Sequence, residues 1–139
     1  MHATTQSRSR NSIVVSSADH DRLSGLAQTF LERTPEMAEG LLAEMDRARI
    51  AAEAAMPADV VRMGSIVTLR DNEDSVQRVT LVYPGEADIA EKRISVLTPL
   101  GTALIGARAG RAVSWRSRDG RVLTATIDAV EQPPARSEP

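Results

Sequence analysis

With 139 residues the chain has room for one domain of ordinary size, or for a small domain with an appendage. Cysteine is absent, which excludes disulfides, thiolate metal sites and cysteine nucleophiles. Seventeen basic and nineteen acidic side chains are mixed along the chain and leave a net charge of −2, and Phe30, Tyr83 and Trp115 are the only aromatics, so the sequence offers neither a basic stripe for duplex nucleic acid nor a stacking platform for single strands.

Residues 1–11 are polar and lack the apolar centre of a signal peptide, and no apolar run approaches the ~20 residues that span a bilayer. A cytoplasmic protein without membrane contact is expected. Residues 1–12, rich in Ser, Thr and Arg, are expected to be a disordered tail. Ile13-Val14-Val15 is a β-branched run that suits a short strand or a packing tab.

Residues 13–56 read as a helical hairpin. Ser16, followed three positions on by Asp19, resembles a capping box. Leu23, Leu26, Ala27, Phe30 and Leu31 then recur at spacings of three and four and share one helix face. Gly25 costs up to ~1 kcal/mol there relative to alanine, which close approach of a partner helix would explain. The first helix is expected to end near Arg33. In Thr34-Pro35-Glu36, Thr34 suits a cap, Pro35 the first helical position and Glu36 the first turn. The second helix is expected from Pro35 to about Ala55, with Ala38, Leu41, Met45, Ala48 and Ala52 as a heptad-like seam. So short a turn makes the helices antiparallel, and ~15–20 residues in each give lengths of ~22–30 Å.

Met56-Pro57-Ala58-Asp59 breaks the helix, and residues 57–63 read as a linker. Beyond it the period becomes that of strands. Residues 65–70 alternate, with Ile66, Thr68 and Arg70 on one face and Val67 and Leu69 on the other. Residues 71–74 make a turn, and residues 77–83 form a second strand with Val79, Leu81 and Tyr83 on one face. After a loop at 84–88, a third strand spans 94–97, a small helix 99–105 and a fourth strand 111–116. Asp119-Gly120 is a hairpin turn, and residues 121–130 are a fifth strand. Residues 132–139, rich in Pro and Ser, are expected to be a loose tail. The expected class is α+β: a short antiparallel helical hairpin of coiled-coil type, then a strongly bent, mostly antiparallel five-stranded sheet packed on one small helix over residues 64–131.

Within this pattern Ile94 to Gly106 stands out: a short strand stops at a proline and turns at once into a small apolar helix ended by glycine. Together with Ile13-Val14-Val15, the stretches 42–48 and 56–65, and Thr80-Leu81-Val82-Tyr83-Pro84, it resembles, in order and spacing, the regulator of nucleoside diphosphate kinase family over nearly the whole of residues 13–133. That family is related to the Gre transcription elongation factors. The resemblance implies an FK506-binding-protein-like, Gre-like C-terminal domain that docks on the rim of the secondary channel of RNA polymerase. It further implies that the hairpin points into the channel and that the protein competes there with Gre factors. Nothing in these residues suggests direct contact with nucleoside diphosphate kinase.

The Gre-type motif assigns polymerase contact to the residues between strand and helix, here Ser95, Leu97, Thr98 and Pro99. Leu97 departs from the small polar or acidic residue usual in that motif, so an exposed leucine would give an apolar contact instead. The structural alternative is that Pro99 simply starts the helix while Leu100, Leu104 and Ile105 fill the core. At the hairpin tip lie Glu32, Glu36 and Glu39. In Gre factors acidic tip residues hold a catalytic Mg²⁺, because hard cations favour carboxylate oxygens. Here the tip lacks the matching acidic motif and the coil is roughly half as long, so the three glutamates are expected to be solvated and to reach no metal.

No catalytic, cofactor or metal site is expected. His2 and His20 are the only histidines and converge with no other ligands, and residues 106–110 lack the lysine of a phosphate loop. Arg108 and Arg111 are expected to face solvent or an acidic partner. Prolyl isomerases of the implied fold line their pocket with many aromatics, which three aromatics cannot supply. The expected function is that of a non-enzymatic, monomeric RNA polymerase-binding regulator that occupies the channel without stimulating transcript cleavage. DNA association is expected only weakly and only through the polymerase complex. The alternatives are a general interaction module that self-associates through its hairpin, and a weak stimulator of cleavage.

Overall fold

The computed structural model describes residues 12–133. Strand β1, Val14–Ser16, pairs in parallel with β2, Arg49–Ala51, Val14 lying opposite Arg49 and Ser16 opposite Ala51. Parallel neighbours need a crossover. Here it is the helical hairpin, α1 at Ser17–Phe30 and α2 at Pro35–Arg47. Ser16 caps α1 as its spacing predicts: its buried Oγ accepts the Asp19 N–H at 3.1 Å. Leu23 and Ala27 on α1 and Ala38, Leu41 and Met45 on α2 are buried, with Leu26, Phe30 and Leu31 packed at the margin.

Three local expectations are corrected. Helix α2 stops at Arg47 rather than near Ala55, because Ala48 turns extended (ψ 145°) and the Arg49 N–H donates to the Ile13 carbonyl at 2.9 Å. The β1 edge offers this stretch a hydrogen-bonded partner, and Ala52, expected in the helical seam, is exposed. Thr34 makes no capping bond; its hydroxyl donates back to the Phe30 carbonyl at 3.4 Å, while Pro35 does open the helix. Gly25 meets no partner helix, since a Cβ there would find open space. With 14 and 13 residues, each helix is about 20 Å long, shorter than expected.

The second sheet holds β3 (Ile66–Asp71), β4 (Val76–Val82), β5 (Arg93–Ser95), β6 (Ala112–Arg116) and β7 (Val122–Glu131), in the order β5-β4-β3-β7-β6. Its pairs are antiparallel except one: β5 runs parallel to β4. The connection between them doubles back along the sheet edge, as the antiparallel bridge of Asp88 to Arg93 shows, so the sheet is mostly antiparallel, as expected, with β5 as the exception. Alternation turns Val67, Leu69, Val79, Leu81, Val113, Ala125 and Ile127 to one face. These residues meet Leu104 and Ile105 from α3 (Pro99–Leu104) and its cap, and the buried faces of α1 and α2, in a single cluster.

The segment 57–63, read as a linker, sends two residues inward. Val60 and Val61 are fully buried, and Val61 exchanges hydrogen bonds with Ala107 and Gly106 at 2.9 Å each. At the other end of the chain, Gln132 is tied down rather than loose. Its Oε1 accepts the buried Ser65 hydroxyl at 2.7 Å, and its Nε2 donates to the carbonyls of Val60 and Ala58. The remaining tail residues, 1–11 and 134–139, lie outside the described residues, and His2 with them.

Candidate functional site

The joint between β5 and α3 is built almost wholly from local hydrogen bonds. The Ser95 Oγ accepts the Leu97 N–H at 3.0 Å. The Ser95 carbonyl accepts both the Thr98 hydroxyl, at 2.7 Å, and the Thr98 N–H, at 3.2 Å. Thr98 is the N-cap of α3: its Oγ1 accepts the Gly101 N–H at 3.0 Å, and Pro99 fills the first turn, where an N–H would have no partner. Thr102 then donates its hydroxyl to the Val96 carbonyl at 2.8 Å, fastening the helix across the strand end.

Gly101 is what permits this closeness. A Cβ there would lie 2.1 Å from the Ser95 carbonyl oxygen and 2.8 Å from the Val96 Cα. At the far end of α3, Gly106 takes φ +81°, and a Cβ would stand 2.8 Å from that of Ile13. The Gly106 carbonyl accepts the Val14 N–H at 3.1 Å, so the joint also anchors the base of the hairpin. The sequence marks Gly106 as a helix stop; it carries no comparable sign for Gly101, because a close-approach glycine inside a short helix looks like any other.

Ser95, Leu97, Thr98 and Pro99 thus lie side by side at one end of the sheet, all half-buried. The two hydroxyls are spent on shaping the joint. Leu97, expected to be exposed, is half-buried and packs against the core rather than standing free. Glu32, Glu36 and Glu39 are exposed around the hairpin turn, separate from the joint, and the Arg33 guanidinium sits 5.6 Å from the centroid of the Phe30 ring beside them. Among the described residues no group of three or more His, Asp or Glu is placed to hold a metal ion.

Two other sequence candidates find internal partners. His20 lies half-buried with Nε2 3.1 Å from the Met45 carbonyl, linking the start of α1 to the end of α2. Arg108 faces Asp59 at 3.7 Å. On the outer face of the sheet Arg70 binds Asp128 through two bonds of 2.9 and 2.6 Å, and that hydrogen-bonded cation holds the Asp128 carboxyl below the usual carboxylate range. Burial acts the other way on Tyr83 and raises its pKa, with nearby Arg22 opposing; its hydroxyl is buried without a hydrogen bond.

Comparison with known proteins divides the chain in the same two parts. The model of the Rnk N-terminus matches residues 11–50, and that of the transcription elongation factor GreA/GreB C-terminal domain matches residues 56–132. Over 113 residues the chain is 36% identical to the regulator of nucleoside diphosphate kinase of Escherichia coli strain K12, covering 81% of this chain and 83% of that one. Against the transcription elongation factor GreA of Rhodospirillum rubrum it is 34% identical over 109 residues, 73% of this chain and 69% of the relative. Among solved structures, a prokaryotic transcription elongation factor GreA/GreB from Nitrosomonas europaea superposes with a TM-score of 0.72 at 34% identity, over 86% of this chain and 98% of the other. No helix among the described residues is long and apolar enough to cross a membrane.

Proposed function

The chain belongs to the Gre-related family of regulators of nucleoside diphosphate kinase, and from that premise we propose that it is a non-enzymatic regulator of transcription elongation that binds RNA polymerase. In this reading the five-stranded module is the FK506-binding-protein-like docking domain, and Ser95, Leu97, Thr98 and Pro99 form its contact with the rim of the secondary channel. The hairpin enters the channel as a short coiled coil and keeps Gre-type factors out. The protein acts as a cytoplasmic monomer, and any association with DNA comes through the polymerase.

The observation that carries the reading is a GreA/GreB-type C-terminal domain joined to helices only about 20 Å long. Metal ligation demands direct contact, at roughly 2.0–2.6 Å for hard cations. A hairpin of this length, with Glu32, Glu36 and Glu39 spread over an exposed turn, can fill space without delivering a ligand to a metal deep in the channel. Cleavage stimulation therefore drops out while occupancy remains. Self-association through the hairpin is less favoured, because Leu23, Ala27, Leu41 and Met45 are already buried in the chain's own core and are not available as an apolar seam for a second copy.

Sedimentation of the purified protein with core RNA polymerase tests this. The protein should co-sediment at micromolar concentration and be displaced by added GreA. Absence of binding at that concentration contradicts the reading.

A further inference from the structure

We propose that the end of the five-stranded sheet that carries the β3–β4 and β6–β7 turns is a self-complementary contact, on which a second copy of this chain seats. The inference goes beyond the polymerase-binding reading and does not depend on it.

Two turns of opposite charge stand at that end. Strand β3 ends at Asp71, opposite Ala125 of β7, and the β3–β4 turn follows at once. Residues 71–77 carry Asp71, Glu73 and Asp74 and no base. Strand β6 ends at Arg116, opposite Val122, the first residue of β7, and the β6–β7 turn joins them. Residues 116–121 carry Arg116, Arg118 and Arg121 against the single carboxylate of Asp119. Each turn is shaped by its own bonds. The Asp71 Oδ1 accepts the Glu73 and Ser75 N–H groups at 2.9 and 3.0 Å, and Asp74 faces Arg70 at 3.8 Å. Arg116 donates to the Gly120 carbonyl at 3.0 Å, and Arg121 faces Asp119 at 3.3 Å. Glu73 and Arg118 are exposed, and their side chains make no hydrogen bond or ion pair among the described residues.

The sheet surface between the turns is apolar at two points. Register sets Val76 opposite Arg70, Arg70 opposite Thr126 and Val122 opposite Arg116. Alternation along β7 puts Val122 on the same side as Thr126, so Val76 and Val122 share the outer face, away from the buried Leu69, Ala125 and Ile127. Val122 is 61% exposed and Val76 58%, two of the four large apolar side chains left in solvent among the described residues. A single one would be ordinary. Here one stands beside the acidic turn and the other beside the basic turn.

That arrangement selects the partner. A polyanion would meet the basic turn but be repelled by the carboxylates of its neighbour, and a basic surface would meet the reverse. The complement of the whole end is the end itself. A two-fold axis between the turns lays the acidic turn of each copy over the basic turn of the other and sets Val76 of each toward Val122 of the other. Exposed ion pairs contribute little each and the patch is small, so the pair is weak and sensitive to salt. Ser95 lies opposite Val82, at the far end of β4 from Val76, so pairing leaves the joint clear. One channel takes one finger, so the polymerase-bound chain remains a monomer and the pair belongs to the free protein.

The test is sedimentation velocity of the full chain over a concentration series, at about 20 mM and about 300 mM salt. The wild type should associate at low salt and be monomeric at high salt. Arg118→Glu and Glu73→Arg should each weaken the association by about tenfold, because each sets like charges against each other twice per pair. Both side chains are exposed, so the thermal midpoints should not move. An equal mixture of the two variants should associate as the wild type does, since each then supplies the charge that the other lacks. Absence of wild-type association at low salt up to about 1 mM, the weakest pairing that counts as specific, overturns the inference. Association that both reversals leave unchanged, or that their mixture does not restore, overturns it as well.

Discussion

Gly101 shows how much one residue can decide. Helix α3 crosses the end of β5 so closely that a single methyl group would overlap the Ser95 carbonyl and the Val96 backbone. Neither neighbour is the end of a flexible side chain, so relief requires backbone movement. Gly101→Ala should therefore cost about 3 kcal/mol, at the upper end of overpacking penalties, although alanine is the better helix former. Chemical denaturation would read it; a change within about 0.5 kcal/mol would mean that α3 can move off the strand. The hydroxyls of Ser95 and Thr98 teach a related lesson. Both were expected as members of a contact motif; the structure gives each a local bond, and which atoms remain free is a matter of geometry that residue type does not record.

At the scale of the elements, the hairpin was legible where its period was strong. The Ser16 cap and the buried set Leu23, Ala27, Ala38, Leu41 and Met45 follow directly from spacing. The end of α2 did not. Residues 48–55 are mostly alanine and suit a helix on propensity alone, but β1 supplies hydrogen-bond partners from far away in sequence, and that tertiary choice outweighs a local preference of tenths of a kcal/mol per residue. The parallel course of β5 was hidden for the same reason, since strand direction depends on the path of a loop and not on alternation. The shared core has a measurable consequence. Leu41 is fully buried within the cluster that also contains Val67, Leu81 and Leu104, so Leu41→Ala should cost about 2–5 kcal/mol. Hairpin and sheet should still unfold in one transition; separate transitions by near-UV and far-UV signals would show that the two parts are independent.

The whole molecule is an acidic-tipped helical finger fixed to a sheet module. Gly106 hydrogen-bonds to both β1 and the fully buried Val61, which ties the two parts together. The finger is short, and its carboxylates are exposed. The module carries the joint at one end of its β5 edge. These features together support occupancy of a channel without chemistry in it. The most direct measurement is transcript cleavage in a backtracked elongation complex. Added alone, this protein should leave the transcript uncut beyond the intrinsic rate; added in excess with GreA, it should suppress the cleavage that GreA stimulates. Stimulated cleavage by the protein alone, abolished by Glu36→Gln, or unimpeded GreA cleavage in its presence, would contradict the account.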